Sequence, residues 1–198
     1  KIKLNLMEKL TGLNKIKTAV FISGNGSNLR NLIKFSKIKK TPISINLVIS
    51  DVSEAIGLKY ADQFNITKKI FNSYNIKNTE KKILILLMKE KISFICLAGF
   101  MKILSKDFIK NFNGKIINIH PSLLPKYKGL NTHHKAIANK DKFAGCTVHY
   151  VTEKLDSGKI IMQKKIKIVG KDTSISLAKK VLKQEHKLYP AAIIKIFN

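Results

Sequence analysis

Asn118 and His120 stand two residues apart at the end of an apolar run, in the segment Ile116-Ile117-Asn118-Ile119-His120-Pro121-Ser122-Leu123-Leu124-Pro125. Side chains alternate along a strand, so the amide and the imidazole point to one face and emerge together at its C-terminal end. An asparagine amide can donate to an oxygen that gains negative charge. A histidine titrates close enough to neutrality to stabilise that charge or to move a proton. The same pair also fits a histidine satisfying a loop beside a turn asparagine.

Ser23-Gly24-Asn25-Gly26-Ser27-Asn28 follows another apolar run and opens an amphipathic one. Backbone N–H groups and the helix dipole make an anion site at such a junction, and a phosphate is its natural guest. Gly24-x-Gly26 also begins a dinucleotide fingerprint, with Leu29 where that pattern wants its third small residue and with Asp51 after the next strand in partial support. A purely structural glycine turn is the third reading. Asp156, in Thr152-Glu153-Lys154-Leu155-Asp156-Ser157-Gly158, reads by itself as a turn residue bonding its own backbone. Glu185 reads by itself as a solvated helix residue. The spacings of His133, His134, His149 and His186 match no standard zinc motif beyond an adjacent pair, so no metal is expected.

The elements that must position these residues alternate. Lys17 to Ser23, Ser44 to Ser50, Ile92 to Leu97, Ile116 to His120 and Ala144 to Val151 read as strands. Ser27 to Ile38, Ser53 to Phe64, Thr79 to Lys91 and Ser105 to Phe112 carry helical spacing, most with Ser or Thr at the N-cap. The expected fold class is α/β: a single-domain, mostly parallel, twisted, Rossmann-like sheet with helices on both faces and ligands at the strand C-termini. Ile160 to Ile168 adds a strand. Ser174 begins a long helix that Pro190 should break or kink. Pro121 to Lys142 lacks strong periodicity, and long irregular loops tend to carry function.

The chain has 198 residues, enough for one well-buried domain, with residues 1–16 expected to be a short N-terminal extension. No apolar stretch approaches the roughly 18 residues of a membrane span, so no membrane partner is expected. The formal charge of +26 invites a nucleic-acid reading. Against it, Arg30 is the single arginine, and the lysines are scattered over every element, so no specific nucleic-acid partner is expected. A positive field would still concentrate small anions. Cys96 and Cys146 form no CxxC pair and read as buried thiols.

The run from Asn118 to Pro125 resembles the Asn-x-His-x-Ser-Leu-Leu-Pro signature of folate-dependent formyltransferases. Gly24 to Leu29 is similar to that family's phosphate loop, Leu97 to Leu104 is similar to its folate-side segment, and the resemblance runs from about Lys17 to Tyr189. It implies Gly26, Ser27 and Asn28 on a nucleotide phosphate and Glu185 on a ribose. Met101, Lys102, Ile103, Leu104 and Asn118 would hold the folate, and Asn118, His120 and Asp156 would be catalytic. Lys102 stands where an arginine is usual, the upstream folate-side arginine has no counterpart except Lys77 nearby, and Asn131 replaces a histidine. The resemblance implies a formyltransferase domain over 1–198, using 10-formyltetrahydrofolate as co-substrate and glycinamide ribonucleotide as acceptor. A cytoplasmic monomer or weak homodimer working without metal is expected, with Asp156 raising the pKa of His120. A hydrolase of the same formyl folate and a non-catalytic nucleotide-binding module are the alternatives.

Overall fold

The computed structural model describes residues 15–72 and 75–198, so the expected N-terminal extension lies outside them up to residue 14. Along the chain run β1 (Ile16–Ile22), α1 (Ser27–Ser36), β2 (Ile43–Ser50), α2 (Leu58–Gln63), β3 (Thr67–Ile70), α3 (Ile76–Lys89) and β4 (Phe94–Leu97). There follow α4 (Lys106–Asn111), β5 (Lys115–His120), α5 (Thr132–Ala138), β6 (Phe143–Tyr150), β7 (Ile160–Lys167) and α6 (Ser174–Phe197). The strands form a seven-stranded sheet in the order β3-β2-β1-β4-β5-β6-β7. Pairs β1–β2, β1–β4 and β2–β3 are parallel, whereas β5–β6 and β6–β7 are antiparallel.

The chain divides into two compact units, Lys1–Ile116 with Phe197, and Ile117–Ile196 with Asn198. In the first, β1 is buried on both faces through Ala19, Val20, Phe21 and Ile22. Each large apolar side chain so removed from water contributes roughly 1.5–3 kcal/mol before the entropy of ordering it is counted. Phe21 meets Phe100 and Phe108 edge to face at centroid distances of 5.4 and 6.3 Å, which seats the segment after β4 and the helix that follows it.

In the second unit, α6 buries Leu177, Val181, Leu188, Tyr189, Ala192 and Ile193. The Tyr189 hydroxyl donates to the Ile117 carbonyl at 3.3 Å, so the helix grips the strand that carries Asn118 and His120. Of the break or kink expected at Pro190, the break does not occur: the helix runs on past it. Proline removes one helical hydrogen bond, but Leu188, Tyr189, Ala192 and Ile193 around it are buried, and tertiary packing outweighs that local loss.

Three other expectations are corrected. Strand β3 was not expected, because Thr67, Lys68, Lys69 and Ile70 are all exposed and carry no apolar signal; they form an edge strand guarded by lysines. Helix α2 begins at Leu58 rather than Ser53, since the Gly57 N–H donates to the Gly24 carbonyl at 2.9 Å and holds the preceding turn. Helix α3 begins before Thr79, where Asn75 Oδ1 caps it by accepting the Asn78 N–H at 3.1 Å.

The start of α6 is fixed by a capping box between Thr173 and Ser176 and by Asp172. Asp172 receives Lys180 Nζ at 2.6 Å and the Val169 N–H at 2.9 Å. Lys180, then the Val169 N–H, hold its carboxyl down to about 2, with Ser176 helping against a smaller opposing effect of burial. A depressed carboxyl stabilises the fold above its unfolded pKa of about 3.9 and stops doing so as pH falls toward the folded value. Asp172→Asn should therefore lower the melting temperature at neutral pH, and its deficit against the unsubstituted chain should shrink between about pH 4 and 2. Thermal melts across that range check this.

Candidate active site

The site in the second unit is built on two antiparallel strands. Register places Asn118 of β5 opposite His149 of β6, and His120 opposite Thr147. Asn118 and His120 therefore share one face at the strand end, and the loop after β5 turns there. Thr147 holds that loop: its hydroxyl donates to the Ser122 carbonyl at 2.7 Å and accepts the Leu124 N–H at 3.1 Å. Gln163 of β7 adds bonds from its amide to the Leu124 carbonyl and to Thr147 Oγ1, both 2.8 Å.

Asp156 reaches this face from the turn after β6. Its backbone adopts the left-handed φ of 45°, which aspartate tolerates better than most residues. Two residues on, Gly158 lies so close to β6 that a Cβ there would stand 1.8 Å from the Tyr150 carbonyl oxygen. Only glycine lets the turn dock. The Asp156 carboxylate accepts the Gly129 N–H at 2.8 Å, lies 3.3 Å from His120 Nδ1 and 3.5 Å from His149 Nε2, and receives the Asn118 amide at 3.5 Å. Its side chain and that of His120 are each only 7% exposed, so these partners stand in place of water.

Each imidazole gives its other nitrogen to a backbone carbonyl. His120 Nε2–H donates to the Tyr127 carbonyl at 2.8 Å, and His149 Nδ1–H donates to the Tyr150 carbonyl at 2.9 Å. A carbonyl only accepts, so each ring carries its proton on that side. Nε2 of His149 also lies 3.3 Å from Asn118 Nδ2. A second proton on either ring would complete an ion pair with Asp156.

Asp156 acts upward on the pKa of His120, as expected, but does not decide its net direction. Burial pushes the imidazole below its ordinary value, and this outweighs the upward effects of the Tyr127 carbonyl and Asp156; His149 and Lys135 add further downward pressure. Burial acts upward on the Asp156 carboxyl, but bonds from His149 and the Gly129 N–H, with the two imidazoles nearby, hold it below the usual range. Burial thus favours the neutral form of His120, while hydrogen bonds favour the ionised form of Asp156.

The remaining sequence-predicted residues divide between the units. In the first, Gly26 is the N-cap of α1 at φ 69°, with its missing Cβ 2.5 Å from Gly57 Cα, so the chain itself requires glycine there. Ser27 is half-buried and Asn28 buried in the first turn of α1. The loops after β1 and β4, where the strand order reverses, are tied by Ser23: its hydroxyl accepts the Met101 N–H at 2.8 Å and donates to Asp51 at 2.5 Å. Met101 and Ile103 are exposed apolar residues, Lys102 and Lys77 are exposed, and Leu104 is buried in the core. Beyond Leu104, the Ser105 N–H donates to Glu80 Oε1 at 2.8 Å and the Ser105 hydroxyl to Glu80 Oε2, which fixes the far end of the segment. In the second unit Glu185 is buried rather than solvated, and burial together with its charge pushes the Cys146 thiol up to about 12. Among the described residues no group of three or more His, Cys, Asp or Glu is arranged to hold a metal ion.

A sequence profile described as formyl transferase matches residues 16–193. The chain belongs to the formyl transferase family. Within it, the phosphoribosylglycinamide formyltransferase of Haemophilus influenzae is 41% identical over 89% of this chain and 85% of its own length. The human trifunctional purine biosynthetic protein adenosine-3 is 41% identical over 90% of this chain, which spans only 18% of that protein. The crystal structure of phosphoribosylglycinamide formyltransferase from Brucella melitensis superposes with a TM-score of 0.88 at 42% identity, covering 93% of this chain and 96% of that one. The formyl transferase fold thus extends over nearly all described residues.

Sequence reasoning missed His149, Tyr127 and Gly129 as partners of the predicted trio. His149 had a signal, since β6 pairs with β5 and its inward positions face Asn118; the backbone partners had none. Substituting Gly158→Ala should displace the Asp156 turn. The expected result is a lower melting temperature together with a weakened His120–Asp156 contact, read by thermal melts and by the imidazole resonances of His120.

Proposed function

We propose that the chain transfers the formyl group of 10-formyltetrahydrofolate to the amine of glycinamide ribonucleotide. The observation that carries this reading is the meeting of Asn118, His120 and Asp156 at the end of β5. The similarity to the phosphoribosylglycinamide formyltransferases of Haemophilus influenzae and Brucella melitensis supports it. Gly26, Ser27 and Asn28 hold the nucleotide phosphate and Glu185 a ribose hydroxyl, while Met101, Lys102, Ile103, Leu104 and Asn118 hold the folate. The exposed side chains of Met101 and Ile103 suit an apolar ring system, whereas buried Leu104 contributes through its backbone. The reading extends to one formyltransferase domain over 1–198, a cytoplasmic monomer or weak homodimer whose partners are these small molecules, and no metal.

In the reaction the amine nitrogen bonds to the formyl carbon and the carbonyl electron pair moves to oxygen. Collapse of that tetrahedral species restores the carbonyl and breaks the bond to the folate nitrogen, which takes up a proton lost by the amine. Asn118 donates its amide to the developing oxyanion, and the His120 N–H now given to Tyr127 is the one the oxyanion would share. Negative charge beside the ring opposes the burial that keeps it neutral, so His120 gains basicity as the transition state forms. Asp156 then balances the imidazolium and relays the amine proton. These interactions strengthen only as charge develops, which raises turnover rather than binding.

Deformylation of 10-formyltetrahydrofolate by the purified chain, measured with and without glycinamide ribonucleotide, tests the reading. Turnover that depends on the nucleotide is expected; turnover without it would mean a hydrolase, and none in either case would sink the enzyme reading. Asp156→Asn should lower kcat by about two to three orders of magnitude with KM little changed, and an unchanged kcat would remove Asp156 from the mechanism.

A further inference from the structure

The backbone from Tyr127 to Gly129 touches both members of the acid–base pair: the Tyr127 carbonyl accepts from His120, and the Gly129 N–H donates to Asp156. Tyr127 holds this position at a left-handed φ of 56°, which is costly for a bulky residue and persists only if its surroundings enforce it. The enforcement lies away from the reacting groups. The Tyr127 hydroxyl donates to Asp141 Oδ2 at 2.9 Å and accepts from the Asn139 amide at 2.8 Å. Lys126 Nζ reaches Asp141 Oδ1 at 2.6 Å and lies 5.0 Å from the Tyr127 ring centroid. Asp141 is itself fixed by its N–H, which donates to the Ala136 carbonyl at 3.0 Å. Its side chain is 13% exposed, against 56% for Lys126, so the anchor is the covered partner and the lysine is the solvated one.

We propose that Asp141, acting through Tyr127, is a positioning residue for His120: it fixes the backbone carbonyl that receives the His120 Nε2–H. The kinetic consequence rests on the formyl-transfer reading; the structural consequence does not. Asp141 touches neither His120 nor Asp156, so its effect must pass along the Tyr127 side chain to its carbonyl. The charged and titratable groups that face His120 are Asp156, His149, His133 and Lys135, and none of them would be altered by changing Asp141 or the Tyr127 hydroxyl. An acceptor on Nε2 favours the doubly protonated ring, so loosening that acceptor should move the His120 titration to lower pH.

The test is an NMR titration of the 15N-labelled imidazole of His120 in the full chain, comparing the unsubstituted protein with Tyr127→Phe, Asp141→Ala and Asp141→Asn. Tyr127→Phe and Asp141→Ala should lower the midpoint by up to about one unit, the scale of one hydrogen bond to a charged group. Asp141→Asn should lie between, because its amide oxygen can still accept from Tyr127. In formyl-transfer assays the first two variants should lose about tenfold in kcat with KM unchanged. Unshifted midpoints in folded Tyr127→Phe and Asp141→Ala would overturn the proposal, as would a shift that left kcat intact. If Asp141→Ala does not fold, Tyr127→Phe decides alone. A chain that transfers no formyl group at all would defeat the formyl-transfer reading while the titration still settled the coupling.

Discussion

The buried carboxylate of Asp156 is the constraint around which the candidate active site is organised. An ionised carboxyl so nearly removed from water is tolerable only if other groups satisfy its oxygens. Those groups are the Gly129 N–H and the Asn118 amide, with two imidazoles beside them that donate once doubly protonated, all drawn from β5, β6 and the loop between them. The need to satisfy one charge thus dictates where each chemically useful side chain stands. The antiparallel register at this end sets His149 directly opposite Asn118. The turn carrying Asp156 is held by the contact that Gly158 makes against β6.

Burial sets the electrostatic balance as well. The same desolvation that drives His120 toward its neutral form raises the effect of any negative charge placed beside it, because little water remains to screen the interaction. Hydrogen bonds hold the Asp156 carboxyl toward its ionised form while burial holds His120 toward its neutral one. A site in that state holds a ready proton acceptor in His120 and a fixed anion behind it, so proton uptake can follow the appearance of charge on a substrate.

Most of the architecture was legible because its strands are apolar runs and its helices are amphipathic. Where the match failed, the cause was physical. Strand β3 is an exposed edge of polar residues, and α5 buries so little, chiefly Thr132 and Ala136, that its periodicity is weak. Pro190 was read by its local cost, whereas packing decides the course of α6. In the site, strand alternation put Asn118 and His120 on one face, but it left a histidine satisfying a loop as an equal reading until the family resemblance was added. Asp156 gave no such signal, since its turn context is ordinary and only the family resemblance singled it out. Tyr127 and Gly129 act through their backbones, Ser23 and Glu80 through hydrogen bonds to distant loops, and no residue type or spacing signals such roles.

If Asp156 organises Asn118, the two must act as a unit, and a double-mutant cycle on kcat measures that directly. Asn118→Ala, Asp156→Ala and the double variant would be assayed for nucleotide-dependent formyl transfer beside the unsubstituted chain. Strong non-additivity, with the double variant little slower than the worse single one, is the predicted result. Losses that multiply would mean that the two side chains act independently and would contradict the central role given to the carboxylate.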